Sequence, residues 1–154
     1  DLQLLSKTII DWKKMGYVIG FTNGCFDLLH PGHLSVIQSA KSLCDKLIVA
    51  VNSDLSIKTI KGAKRPIQNQ NTRMTILSAL SAVDVVIKFD SKTPTDLIKK
   101  LEPDKFFKGS DYINTKIPES KIVESYGGEV VFVDLIEGHS TTSTINQIKK
   151  ISSD

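Results

Sequence analysis

Long apolar runs, blocks of like charge and paired cysteines are all missing from this 154-residue chain, and each gap removes a class of function. No stretch approaches the roughly 20 apolar residues needed to cross a bilayer, and no secretory signal is present, so neither a membrane span nor membrane contact is expected. The two cysteines, Cys25 and Cys44, form no C-x-x-C pair. They read as packing thiols in a reducing compartment, which makes the cytoplasm the expected location. The net charge of +3 is spread along the chain, without the blocks of about five or six like charges that mark interaction tails, so nucleic acid is not expected as a partner. Two common phosphate loops are absent as well. There is no G-x-x-x-x-G-K-S/T, and Gly20 and Gly24 do not complete G-x-G-x-x-G, which argues against a P-loop NTPase or a dinucleotide binder. Repeats, low-complexity tracts and linkers are also lacking.

What remains is enough for one well-filled core. At 40% hydrophobic and 24% charged over 154 residues, one domain spanning 1–154 is expected, and a start at Asp1 rather than methionine suggests a trimmed chain or a piece of a longer protein. Apolar runs at Tyr17–Thr22, Lys46–Val51, Val83–Phe89, Lys105–Lys108 and Glu129–Val133 read as strands. Helical patterns separate them at Pro31–Leu43, Asn71–Ser81, Pro94–Leu101, Pro118–Tyr126 and Thr142–Ile151. A further amphipathic helix from about Asp1 to Met15, with Trp12 on its buried stripe, ends at Gly16. Continuous Val/Ile strands alternating with helices predict a doubly wound parallel five-stranded α/β sheet, which binds ligands at the carboxyl ends of its strands.

The chemistry concentrates in Phe21-Thr22-Asn23-Gly24-Cys25-Phe26-Asp27-Leu28-Leu29-His30-Pro31-Gly32-His33. A strand ends in turn residues and a helix opens near Pro31, whose first-turn amides lack partners and carry the positive end of the helix dipole. His30 and His33 stand three residues apart on that opening turn, and Gly32 keeps a side chain from between them. Both imidazoles can face one triphosphate and stabilise charge that grows during displacement. The same histidines also suit a helix cap or, with Cys25 and Cys44, a zinc site, although the cysteines lack metal-ligand spacing.

The ordered set Thr22–Asp27, His30-Pro31-Gly32-His33, Val51-Asn52-Ser53-Asp54, Lys61-Gly62-Ala63-Lys64-Arg65-Pro66, Thr93-Pro94, Lys108-Gly109-Ser110-Asp111-Tyr112 and Ser140-Thr141-Thr142 resembles the HxGH nucleotidylyltransferase superfamily. Within it, the chain is most similar to the heptose 1-phosphate adenylyltransferases. The resemblance implies a Rossmann-like nucleotidylyltransferase fold and transfer of an adenylyl group from ATP to a sugar 1-phosphate, with Mg²⁺ carried by the triphosphate and no metal ligand from the protein. It implies catalytic roles for His30, His33 and Lys61. Nucleotide contacts would come from Cys25, Phe26, His30, His33, Arg65, Lys108, Gly109, Asp111, Tyr112, Ser140, Thr141 and Thr142. Lys61 and Arg65 would lie on a mobile loop after the second strand, closing over phosphate.

Other readings of these residues stand beside that one. Asn23, Asp27 and Arg73 are candidates for acceptor binding. Asp27 and Asn23 equally suit local backbone bonding, Arg73 a surface salt bridge, and Ser140 or Thr141 a helix N-cap. His139 reads as a loop residue. Leu135-Ile136-Glu137-Gly138 lacks the arginine that related glycerol-phosphate cytidylyltransferases carry there, which weakens CTP as the alternative nucleotide. Ser110 and Cys44 stand where the heptose enzymes usually have glycine, and Pro31 where alanine is more common. The apolar N-terminal stripe and family precedent lean towards a homodimer, and a separate sugar kinase is the implied pathway partner. A nucleotide-binding module without turnover is the reading from another functional class.

Overall fold

Lys46–Asn52 is apolar almost throughout, and in the computed structural model it forms strand β2, buried from Leu47 to Asn52. The structure describes residues 1–136 and 138–151; Glu137, within the Leu135–Gly138 stretch noted above, and the last three residues lie outside the described residues. Along β2, Leu47, Val49 and Val51 enter one apolar cluster while Ile48 and Ala50 enter another. A strand alternates its side chains between faces, so both faces of the sheet are covered.

The sheet holds β1 (Ile19–Gly24), β2, β3 (Val85–Phe89), β4 (Lys105–Gly109) and β5 (Glu129–Val133) in the order β3-β2-β1-β4-β5, with every pairing parallel. One face is packed by α1 (Leu2–Lys14), α5 (Thr95–Leu101) and α6 (Ser120–Ser125) through Leu5, Ile9, Leu97, Ile98, Leu101 and Val123. The other carries Ile37 and Ala40 from α2 (Pro31–Ser42) and Leu77 from α4 (Gln70–Ser78). This is the doubly wound arrangement. The chain winds from β1 through β2 to β3 on one side and returns to β4 and β5 on the other, opening a crevice over the ends of β1 and β4.

At the opposite end of the sheet, carboxylates satisfy the first strand amides. Asp45 accepts from the Val18 amide at 2.7 Å, Asp104 from Ile19 at 2.8 Å and Asp84 from Leu47 at 2.7 Å. These bonds explain why β1 starts two residues later than Tyr17, since its leading amides turn to carboxylates rather than to a neighbouring strand. The apolar stripe of α1 packs on this chain's own core through Leu5 and Ile9, with Trp12 against it.

Local chemistry also moves the other boundaries. Helix α3 (Asp54–Lys61) replaces the loop expected after β2: Ser53 caps it, accepting from the Ser56 amide at 3.2 Å, with Asp54 in the first turn and Lys58 and Lys61 in the last. Asn69 accepts from the Thr72 amide at 2.9 Å and starts α4 at Gln70. Beyond β4, Ser110–Tyr112 forms a single 3-10 turn, and the final helix α7 covers Thr141–Ile151.

Gly20 sits where β1 is pressed hardest. A Cβ there would lie 2.5 Å from Cys44 Sγ and 2.8 Å from the Phe107 ring. Gly20→Ala is expected to destabilise the fold by about 1–3 kcal/mol through overpacking, and Cys44→Gly in the same chain should recover part of that loss. Urea denaturation of the single and double variants measures both effects.

Candidate active site

Phe26 and Leu28 both adopt positive φ, +48° and +53°, which is uncommon for residues with a side chain and turns the chain sharply between β1 and α2. Asp27 lies between them, 1% exposed. Its carboxylate accepts from the amides of Ile67 at 2.8 Å and Gln68 at 2.9 Å and from Arg65 Nε at 2.8 Å, while Arg65 Nη2 stands 2.6 Å away. Burial alone would raise this carboxyl. The two amides and the guanidinium outweigh it and hold Asp27 below the usual carboxylate range.

The turn delivers the histidine pair to the mouth of β1. His30 is the N-cap residue of α2 and Pro31 its first residue, so no amide is wasted there. The two imidazoles stack with centroids 3.8 Å apart, and Phe26 flanks His33 at 5.4 Å. Burial, then the neighbouring His30 and Lys61, push His33 down to about 4; burial and His139 lower His30. Both are therefore neutral at pH 7. His33 Nδ1 accepts from the His30 amide at 3.4 Å, which leaves its proton on Nε2 as a donor. His30 Nδ1 is buried and has no partner among the described residues. A Cβ on Gly32 would stand 3.0 Å from the His30 ring and press on it, so glycine leaves the stack room.

These groups line a cavity of about 370 Å³. The structure brings together there Asn23, Phe26, His30, His33, Lys61, Lys108, Gly109, Asp111 and Tyr112. Ser140, Thr141 and Thr142 close the same cavity at the start of α7. Ser140 caps that helix, accepting from the Ser143 amide at 3.0 Å, and the Thr141 hydroxyl donates to the Asp27 carbonyl at 2.7 Å. His139 also lines the cavity, and its carbonyl closes over Gly32. Only adjacency to Ser140 marked it in the sequence.

A second cavity of about 310 Å³ lies alongside and shares Asn23, Gly24, Lys61, Lys108 and Tyr112 with the first. Lys108 is held between the rings of Phe106 and Tyr112, its ammonium 5.4 and 5.1 Å from their centroids. Burial lowers its pKa, against the opposing pull of Glu119 and Asp111. Asn23 Oδ1 is buried without a partner among the described residues.

Four of the expected site residues lie elsewhere than in the first cavity. Cys25 lines the second, with its thiol raised mainly by burial. Arg65 is tied to Asp27; Lys61, which does line the first cavity, ends α3 instead of riding a free loop. Asp27 faces Arg65 and two backbone amides. Arg73 is not on the surface: 1% exposed, it donates to the carbonyls of Gln68 at 3.0 Å and Cys25 at 2.6 Å and to Asp54 at 2.8 Å. Its location inside follows from those three acceptors, which a single sequence cannot bring together. Sequence reasoning gave no role to Lys92, Thr115, Lys116 and Glu119, which line the second cavity with Asn52 and Thr93; Asn52 and Thr93 stood only inside quoted motif stretches. Among the described residues, no group of three or more His, Cys, Asp or Glu is placed to hold a metal ion, and no helix is long and apolar enough to cross a membrane.

A parallel sheet with an imidazole pair, lysines and two helix N-termini around one crevice at its topological switch point defines a Rossmann-like protein. Comparison with known proteins gives the family. Residues 21–153 match the cytidylyltransferase-like family, and the chain belongs to it. It is 55% identical over 134 residues to the "Bifunctional protein HldE" of Hyphomonas neptunium, covering 87% of this chain and 28% of that protein. The chain thus spans under a third of the length of this curated relative. Among solved structures, the lipopolysaccharide core biosynthesis protein from Thermoplasma volcanium GSS1 superposes with a TM-score of 0.63 at 27% identity, over 80% of this chain and 100% of that one. A pantoate-beta-alanine ligase from Francisella tularensis, in complex with beta-gamma ATP and beta-alanine, matches with a TM-score of 0.64 at 16% identity, over 100% of this chain and 78% of that one, and shares the fold.

Two outcomes follow from the site's electrostatics. An unfolded His33 takes up its proton near pH 6.5 but the folded one only near 4, so between those values the unfolded chain binds more protons. Stability should be on its plateau above pH 6.5, fall as the pH drops towards 4, and become independent of this group below that. Urea melts across the interval should show a shallower slope for His33→Gln. Asp27→Ala leaves Arg65 without its anion, and breaking a buried pair costs about 3–5 kcal/mol. Arg65→Ala is therefore expected to lower stability as well as activity, as thermal melts would register.

Proposed function

We propose that this chain transfers an adenylyl group from ATP to a sugar 1-phosphate, giving an ADP-sugar and pyrophosphate, with heptose 1-phosphate as the acceptor. One observation carries the reading: two cavities meet at the end of β1 and share Asn23, Lys61 and Lys108, with the stacked histidines in one of them only. Direct transfer between two phosphates needs that arrangement, because both anions must approach one phosphorus while cations between them offset the repulsion. Relatives carrying the name HldE at up to 55% identity support the choice of sugar. The other part of such a relative, or a separate sugar kinase, would supply the phosphorylated acceptor.

In this mechanism a phosphate oxygen of the acceptor forms a bond to the α-phosphorus as the bond from that phosphorus to the α,β-bridging oxygen breaks, and the electron pair leaves on pyrophosphate. The acceptor is already an anion, so no general base is required. His33 Nε2–H and His30 donate to phosphate oxygens whose charge increases along the path. The opening turns of α2 and α7 present amides from two sides. Lys61, exposed at the end of α3, and Lys108, fixed between rings, neutralise charge on the wall common to both substrates.

Asp111 is the one described carboxylate lining the nucleotide cavity, and a hard cation prefers several oxygen ligands. Mg²⁺ would therefore take most of its ligands from the triphosphate and water. When bound it would screen the triphosphate charge and improve pyrophosphate as a leaving group.

Pyrophosphate release across a matrix of nucleotides and phosphorylated acceptors tests the proposal. ATP with heptose 1-phosphate is expected to be the best pair and CTP with glycerol 3-phosphate a poor one; faster release from the latter overturns the sugar and base assignment. His30→Ala, His33→Ala and Lys61→Ala should each lower turnover by roughly 10²-fold or more, as loss of a donor to developing charge does. Circular dichroism should show the fold intact in all three.

A further inference from the structure

Glu119 is the least expected group around the crevice. It is 3% exposed, lines the second cavity and not the first, and its carboxylate accepts no hydrogen bond and joins no ion pair among the described residues. Its carboxylate oxygens are not among the enclosed, unpartnered side-chain atoms, so they open onto the second cavity, where the hydroxyl donors of an occupant can reach them. Lys108 feels its charge, but Lys108 belongs to the wall shared by both cavities and forms no salt bridge with it. Asn52, also 3% exposed, lines the same cavity, and its Nδ2 donates to Ser56 Oγ at 3.0 Å, which fixes its amide at the cavity wall. At the same cavity, Lys92 and Lys116 supply positive charge.

We propose that Glu119 is the residue that selects a polyhydroxylated acceptor in the second cavity: its carboxylate accepts hydrogen bonds from sugar hydroxyls and, by repulsion, turns the acceptor's phosphate away from itself and towards the shared lysine wall. This rests on the adenylyl-transfer reading above and deepens it. The chemistry fits both halves of a sugar phosphate. An ionised carboxylate has only acceptor sites and matches hydroxyl donors, while it disfavours a second anion placed against it. An acceptor without those hydroxyls displaces water from the Glu119 carboxylate without replacing its hydrogen bonds, which is the condition under which a polar site rejects a ligand most strongly.

The test compares wild type with Glu119→Gln and Glu119→Ala, using heptose 1-phosphate, mannose 1-phosphate and a series of mannose 1-phosphates each lacking one ring hydroxyl. Glu119→Ala should raise KM for the intact acceptors about 10–100-fold, the effect of a lost hydrogen bond to a charged group, with a smaller rise for Glu119→Gln. ATP affinity, read by equilibrium titration without acceptor, should not change. At least one hydroxyl deletion should be strongly penalised in wild type and cost little further in Glu119→Ala. If Glu119 serves only to balance Lys108, the variants will alter ATP affinity, leave acceptor KM in place and keep the deoxy penalty, and the proposal is overturned. Should Glu119→Ala not fold, the near-isosteric Glu119→Gln carries the same comparison. If wild type releases no pyrophosphate with any sugar phosphate, the transfer reading fails on its own; titration of mannose 1-phosphate into wild type and Glu119→Gln then decides the Glu119 assignment, with equal affinities counting against it.

Discussion

The Asp27 carboxylate is the interaction on which the rest of the site depends. A buried anion must find donors, and here it finds the Arg65 guanidinium and the amides of Ile67 and Gln68. Those bonds draw the segment after α3 onto the turn after β1. The Asp27 carbonyl meanwhile accepts the Thr141 hydroxyl and draws in the start of α7. One residue thus joins three segments that are far apart in sequence, and two left-handed residues flanking it set the angle at which α2 leaves the sheet. Arg73 reinforces the knot from beneath by holding Cys25, Gln68 and Asp54 together. The backbone strain at Phe26 and Leu28 persists because these bonds over-determine the turn.

Above that knot, the cleft gathers positive potential without ionised histidines. The imidazoles are desolvated and stacked, so each stays neutral and offers a directed N–H donor. The formal charge comes from Lys61 and Lys108, and Lys108 is placed by aromatic rings rather than by an acidic partner. A cation paired to a carboxylate would have to break that pair to meet another anion; a ring-held one has no such pair to break. The carboxylates of Asp45, Asp84 and Asp104 are instead spent at the far end of the sheet on strand amides. The two ends of the sheet therefore differ in kind: carboxylates answer strand amides at one, and lysines and imidazoles gather at the other.

The sequence made much of this legible because several of its signals are local. Alternating Val/Ile strands and amphipathic helices gave the doubly wound class, and a turn, a Pro-Gly break and two histidines in thirteen consecutive residues, 21–33, marked the segment that lines the first cavity at the first strand's end. Ser140 showed both of its possible characters, capping α7 while lining the cavity. The reading was weakest where local pattern was short: Asp54–Lys61 is a helix of only eight residues, started by a Ser53 cap that also resembles a turn signal.

By itself, then, the sequence determined the fold class and the turn that carries the histidine pair at the end of the first strand, since hydrophobic periodicity and helix-start chemistry act over a few residues. The tertiary structure alone decided the partners of the charged groups. Arg73 and Arg65 are both basic residues before or within a helix-like stretch, yet one is sealed among two carbonyls and Asp54 and the other locked to Asp27. Glu119 looks like an ordinary surface glutamate until the fold places it on the wall of the second cavity, with residues from the ends of β1 and β4. The reason is physical: the energy of a charge depends on what surrounds it in three dimensions, and those surroundings come from segments dozens of residues away.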